Sequence, residues 1–272
     1  RFLIFLSSIL RGVDMHADLL RESVASYGND FRLGANEAPP AILSIYLGKT
    51  LTSLIEEVLN NDLKTSENIK SFINGSKTLP SFPKDDMDRN RTSPFAFTGN
   101  RFEFRMVGSE QNIAEPNTFL NVVLSEGLNE LSAILEKSVD KEQASLEWIK
   151  KTIKEHKRIV FNGDGYSKQW EEEASKRGLM NLRTTPEAIK AYIRKENFDM
   201  LIRSGVFKEK EILSRVNIKY QDYHNKAIIE AKTMSRMAHK LFLPCIHNAL
   251  NNILEEEKEM GSSFLPISKT KE

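Results

Sequence analysis

Arg101-Phe102-Glu103-Phe104-Arg105 alternates charged and aromatic residues with a period of two. In a strand, that spacing sends the phenylalanines to one side and Arg101, Glu103 and Arg105 to the other. Two readings fit the charged side. One is a solvated face with cross-strand ion pairs, which contribute little. The other is a carboxylate between two guanidinium groups at the wall of a cleft. A carboxylate can hold a divalent cation, and a guanidinium grips phosphate or carboxylate oxygens with a fork of N–H donors. Those residue types suit an anionic substrate handled alongside a metal ion. A second stretch, "YGNDFRLGANEAPPA" from Tyr27 to Ala41, carries Arg32 and Glu37 among Gly, Asn and Pro residues that break regular structure. It reads either as an ordinary surface loop or as a lid that brings a guanidinium and a carboxylate over a pocket.

The elements that must position these residues follow from periodicity. "RTSPFAF" and "RFEFRMV" read as two strands joined by Thr98-Gly99-Asn100, a hairpin turn signal. Phe2 to about Ser26 reads as one helix with a deeply buried start. Ile42 to Leu47 reads as a short buried strand or a turn of helix, and Thr50 to about Leu63 as a helix. Asn60 to Arg89 is a polar, exposed insertion, with room for a short helix. A single long helix is expected from about Pro116 to Lys154. The run "RIVFNGDGYS" ends in a Gly-rich turn. Helices are then expected over Lys168–Gly178, Thr185–Arg194, Phe198–Gly205 and Glu209–Leu254, the last broken near Pro244. Thr184-Thr185-Pro186-Glu187 has the form of a helix N-terminal cap. The fold class is therefore α+β. It divides into residues 1–155, mixed in character, and residues 156–272, nearly all helix.

The 272 residues, 40% of them hydrophobic, suffice for one large domain or two smaller ones. Lys plus Arg (39) balances Asp plus Glu (38), so no global field points to nucleic acid or to an anionic membrane. The lone cysteine, Cys245, rules out a disulfide within the chain, and a reducing cytoplasmic location is expected. "RFLIFLSSIL" is too short to span a bilayer and lacks a cleavage signal. A chain opening at Arg1 inside a helix reads as part of a longer protein. Other residues are weaker candidates. His16 is expected on a packed helix face. His239 and His247 lie too far apart on one helix to chelate one ion. "NGDGYSK" lacks the full phosphate-loop pattern and reads as a turn. Cys245, among Leu, Phe and Pro, reads as buried filler.

Four motifs in order resemble the glutamine synthetase family. "RLGANEAPPA" resembles its loop Arg-Leu-Val-Pro-Gly-Tyr-Glu-Ala-Pro, and "NRTSPFAF" its Asn-Arg-Ser strand. "RFEFR" resembles its Arg-Ile-Glu-Val-Arg strand, and "AEPNTFL" its Ala-Asn-Pro-Tyr-Leu helix start. "FNGDGYS", "NLRTTPEA" and the helical last part look like the C-terminal portion of the large, type III enzymes. The resemblance implies part of a catalytic domain built on a curved antiparallel sheet, followed by a helical C-terminal region. It implies ATP- and Mg²⁺- (or Mn²⁺-) dependent ligation of ammonium to glutamate through γ-glutamyl phosphate, in a cytoplasmic homo-oligomer of stacked rings, a dodecamer. It implies residue roles as well. Arg32 and Arg105 would hold glutamate, Glu37 would close the flap, Arg91 and Arg101 would face nucleotide phosphates with Arg91 also catalytic, and Glu103 would be a metal ligand.

The chain departs from the family pattern in three places. Ala96 stands where a further arginine is usual, the Arg32–Glu37 loop is one residue shorter, and Glu115-Pro116-Asn117 replaces Asn-Pro-Tyr. The remaining metal ligands of the family lie outside this stretch, so the stretch alone is expected to be inactive. Two alternatives stay open: a γ-glutamyl-amine ligase of the same fold, and a non-catalytic truncated subunit acting by association.

Overall fold

Leu6, Leu10 and Val13 recur at helical spacing and are at most 1% exposed, which fixes the buried face of α1 (Phe2–Met15). The computed structural model describes residues 1–35, 38–60, 72–73, 82–83 and 92–260. Two compact units divide the chain, Arg1–Tyr220 and Gln221–Glu272. The expected single helix from Phe2 to Ser26 is instead two, α1 and α2 (Ala17–Glu22). Its start is not deeply buried either, since Phe2 and Phe5 are about half exposed. The break falls at His16, whose backbone leaves the helical region. His16 is buried, and its Nδ1 pairs with Asn197 Oδ1 at 2.6 Å. Asn197 donates to Asp18 at 3.2 Å, and Arg194 donates to the Met15 carbonyl at 2.6 Å. Polar groups from the last third of the chain thus satisfy those freed at the break. Burial holds the His16 ring below its usual pKa, as expected of a packed histidine rather than a ligand.

Next come α3 (Tyr27–Arg32), β1 (Ile45–Tyr46) and α4 (Gly48–Asn60). In the polar insertion, β2 (Phe72–Ile73) and β3 (Phe82–Pro83) pair antiparallel. β4 (Phe95–Phe97) and β5 (Phe102–Phe104) form the expected hairpin, and β1 joins β4 in parallel. The hairpin closes where the Thr98 N–H meets the Arg101 carbonyl at 2.9 Å, leaving Gly99-Asn100 as the turn. Gly99 has φ +91°, which a two-residue hairpin turn of this kind requires and a side chain resists. This small mixed sheet is the only one with described side chains, and most of the remaining chain is helix.

The expected helix from Pro116 to Lys154 is also two, α5 (Ala114–Lys137) and α6 (Lys141–His156). Asp140 caps α6 by accepting the N–H groups of Glu142 and Gln143, both at 3.0 Å. An N-cap carboxylate stabilises a new helix start, so the chain turns here and α6 packs back on α1 and α5. Then follow α7 (Lys168–Lys176), α8 (Thr185–Ile189), α9 (Lys195–Arg203), α10 (Glu209–Met237) and α11 (Leu243–Met260). The expected cap at Thr184 forms, with Glu187 accepting the Thr184 N–H at 3.2 Å. In the second unit the expected break appears as a π-helical turn, Ala238–Phe242, just before Pro244. Proline lacks the N–H for the α-helical ladder and crowds the preceding turn, and a widened turn absorbs both effects. Cys245 is exposed, not buried, because α11 buries none of its described side chains.

α2, α5 and α10 meet at a partly buried charge cluster around Glu22. Lys219 bonds Glu22 and, at 2.8 Å, Glu115, which also accepts the Tyr192 hydroxyl proton. One ammonium thus faces two carboxylates. Burial outweighs the pull of Lys219 and pushes the Glu22 carboxyl up to about 8. The two carboxylates outweigh burial at Lys219 and keep its pKa raised. A proton on Glu22 leaves one ammonium balanced by one carboxylate. The folded-state pKa of this acid lies above its unfolded value of 4.5, so the folded protein holds an extra proton between about 4.5 and 8. Stability is therefore fully present below that window and falls as pH rises through it, by at most about 1.4 kcal/mol per pH unit. Glu22→Gln is expected to flatten that slope, as read by urea unfolding across the window. A slope equal to the parent's would refute the protonated Glu22.

Candidate active-site wall

β5 presents two faces, as its alternation requires. Phe102 and Phe104 turn to the apolar side. Phe95 stacks on Phe102 at 5.3 Å and meets Phe104 edge-on at 5.9 Å. Together with Ile113, Leu120 and Val123 these rings line a 310 Å³ pocket between the hairpin and the helices. On the other side, the Arg101 Nε donates to Glu103 Oε1 at 3.1 Å, and Arg105 donates to Glu103 Oε2 at 3.2 and 3.3 Å. Arg105 is the most covered of the three, with a side chain 14% exposed against 32% for Glu103 and 70% for Arg101. Slight burial would raise the Glu103 carboxyl, but the Arg101 and Arg105 guanidiniums outweigh it and hold it below the usual carboxylate range.

The ion pairs expected across the strands run instead along β5, from Arg101 and Arg105 to the Glu103 between them. The pocket beside the strand lies on its phenylalanine side. Ala96, fully buried, lies opposite Glu103 on β4 and opposite Tyr46 on β1. The arginine that the pattern lacks would therefore have stood across the ladder from Glu103. Among the described residues no group of three or more His, Cys, Asp or Glu could hold a metal ion. Glu103 alone, engaged by two guanidiniums, does not make a metal site within this stretch.

Arg32 sits at the end of α3, which corrects the expectation that Tyr27–Ala41 is all loop. Ser26 caps this helix by accepting the Asn29 N–H at 3.2 Å, so the chain is helical as far as Arg32. The Arg32 guanidinium donates to the carbonyls of Met106 at 3.2 Å and Arg105 at 3.4 Å. The two glutamate-site candidates are thus brought together at the exit of β5. Beyond Arg32 the chain returns on itself, with a bridge between Leu33 and Ala38 and the Gly34 N–H on the carbonyls of Ala38 and Pro39. Glu37 and Arg91 lie outside the described residues.

Three residues that the sequence reading passed over hold this arrangement. Asn29 is buried, and its amide donates to the carbonyls of Val24 at 2.6 Å and Met106 at 3.0 Å, locking α3 to the strand exit. Asp30 accepts from Arg21, Thr185 and the Thr185 N–H. Gly165, in the "FNGDGYS" turn, lies against the Thr92 carbonyl and Pro39. The turn's polar groups are engaged within the protein: Asn162 accepts the N–H groups of Leu47 and Gly48, Asp164 accepts the Tyr166 N–H, and Ser167 caps α7. It is a buttress rather than a phosphate cradle. The signal available in sequence was Ser26-x-x-Asn29, a helix-capping spacing.

Residues 144–261 match the family model for the glutamine synthetase C-terminal domain. The chain is 45% identical over 94% of its length to the type-3 glutamine synthetase of Dictyostelium discoideum, covering 35% of that protein. It is 39% identical over 97% of its length to a glutamine synthetase of Bacteroides fragilis (strain YCH46), covering 37%. It is 41% identical over 88% of its length to one from Butyrivibrio fibrisolvens, covering 34%. The chain therefore spans about a third of the length of these relatives. The motifs and matches over 88% to 97% of its length converge: the chain belongs to the glutamine synthetase family.

Proposed function

We propose that this stretch forms one wall of an active site that ligates ammonium to glutamate at the expense of ATP, through γ-glutamyl phosphate, in a type III enzyme. The observation that carries the reading is the Arg101–Glu103–Arg105 row with Arg32 pinned at its end. A carboxylate is a poor electrophile, and activating it as an acyl phosphate concentrates negative charge on oxygens. Fixed guanidiniums stabilise such charge, because they need no reorganisation as it develops. Arg32 and Arg105 bind the glutamate, and Arg101, the exposed end of the row, faces phosphate oxygens with Arg91. Glu37 closes over the site and shields the intermediate from water.

Glu103 offers one carboxylate to a metal site whose other ligands lie outside these residues. The activity therefore belongs to the longer polypeptide, working as a homo-oligomer, and not to this stretch alone. Residues 1–155 supply the catalytic part, and 156–272 the helical C-terminal region of type III enzymes. In the complete enzyme, Arg105→Lys is expected to lower kcat at least about tenfold, since an ammonium cannot reproduce a two-pronged grip. Unchanged kinetics would overturn the assignment.

A further inference from the structure

Six residues are too few for a helix to hold itself in water, so the position of α3 is set by what grips it. One grip is Asn29, on the strand exit. The other is Asp30. Its Oδ1 accepts from the Arg21 guanidinium at 3.0 Å and from the Thr185 hydroxyl at 2.8 Å, and its Oδ2 accepts the Thr185 N–H at 2.7 Å. Arg21 and Thr185 are themselves buried, at 1% and 3% exposure. Arg21 is fixed in turn by the carbonyls of Leu182 at 2.9 Å and Arg183 at 3.3 Å. Asp30 therefore ties α3 to the 182–185 segment, about 155 residues away, within the part that matches the C-terminal domain model. Arg32 is two residues further along the same helix. Its own bonds to Asn29, Met106 and Arg105 run from 3.2 to 3.4 Å. Those are longer than the charge-assisted bonds to Asp30 and yield first if α3 turns.

We propose that Asp30 and Thr185 form a positioning pair through which the helical C-terminal region sets the aim of Arg32 at the substrate carboxylate. The proposal rests on the reading of Arg32 as a glutamate-binding residue. Without the pair, α3 pivots about Asn29 and carries the guanidinium with it. Substrate binding weakens while the groups that act on phosphate, on β5, keep their places. The pair is a device for glutamate affinity, distinct from the chemical step.

The test uses the complete enzyme. Asp30→Asn puts an amide where two donors converge. Thr185→Val removes one donor and leaves the Arg21–Asp30 pair intact, so it still reports if Asp30→Asn fails to fold. Both are expected to raise KM for glutamate about fivefold or more with KM for ATP unchanged and kcat within about twofold, the pattern of lost ground-state binding. Thr185→Ser, which keeps the hydroxyl, is expected to restore the parent KM. Arg32→Lys separates the two ideas. If it raises KM for glutamate and neither Asp30→Asn nor Thr185→Val does, the positioning role is wrong and the Arg32 reading stands. If Arg32→Lys leaves that KM unchanged, both fall. Equal losses in every kinetic parameter, with a lowered unfolding midpoint, would mean that the pair is structural only, and would overturn the proposal.

Discussion

Arg21→Met is expected to lower the unfolding free energy by about 3–5 kcal/mol, the range for breaking a buried ion pair by removing one partner. Arg21 is 1% exposed, and its partner Asp30 has a side chain only 9% exposed. The pair's net contribution is modest, because burial opposes the charge on Arg21 and pulls its pKa below the usual value. The large cost of the substitution has another source. It strands the Asp30 carboxylate, with only Thr185 still donating to it, and removes the donor that the carbonyls of Leu182 and Arg183 share. Arg21→Lys is expected to fall between parent and Arg21→Met, since it keeps a charge but loses the fork that reaches three acceptors. Urea unfolding at constant m-value gives the comparison. A loss below about 1 kcal/mol for Arg21→Met would show that this network does not bind α2, α3 and the 182–185 segment together.

That network explains which parts of the fold sequence could reveal. Alternation at Phe102–Phe104 and the Gly99-Asn100 turn are local signals, and the hairpin formed as they specify. That Arg101, Glu103 and Arg105 share one face was legible for the same reason, but their pairing along the strand rather than across it was not. The errors lie where contacts distant in sequence override a local period. α1 and α2 look continuous until Asn197 and Arg194 take up the polar groups at His16. α5 and α6 look continuous because Val139, fully exposed, was read as part of a helix, while the capping strength of Asp140 was passed over. The Tyr27–Ala41 stretch looked like a loop because its Gly and Asn residues suggest one. Ser26 and the clamps at Asn29 and Asp30 make its first part helical. Cys245 was misread because apolar neighbours in sequence need not be neighbours in a packed interior. Arg32 and Arg105 stand out only through their motifs; nothing local announces that Arg32 ends at the carbonyls of Arg105 and Met106.

Gly165→Ala tests the same dependence from the other side of the site. A Cβ built on Gly165 would lie 2.1 Å from the carbonyl oxygen of Thr92 and 3.6 Å from Cβ of Pro39. The first contact cannot be relieved by rotating a side chain, because the obstructing atom is backbone. Thr92 lies three residues before Phe95, whose register with Ile45 and Phe104 fixes the entry of β4. Either the strand entry or the Asn162–Ser167 turn must shift, and overpacking of that kind costs about 1–3 kcal/mol, with the upper end expected for a rigid obstacle. Gly99→Ala supplies the comparison. Gly99 has φ +91° but nothing within 4 Å of its added Cβ, so that substitution incurs backbone strain alone, about 1 kcal/mol. The expected order is therefore Gly165→Ala well below Gly99→Ala in stability, both measured by urea unfolding. The two should also differ in the complete enzyme. Displacing Thr92 and Pro39 disturbs both the strand that leads to the charged row and the base of the Arg32 loop, so Gly165→Ala should lose activity beyond its loss of folded protein. Gly99→Ala, at the solvent end of the hairpin, should not. Equal stability of the two variants would show that the glycine at 165 is not there for close approach, and that the "FNGDGYS" turn does not buttress the site.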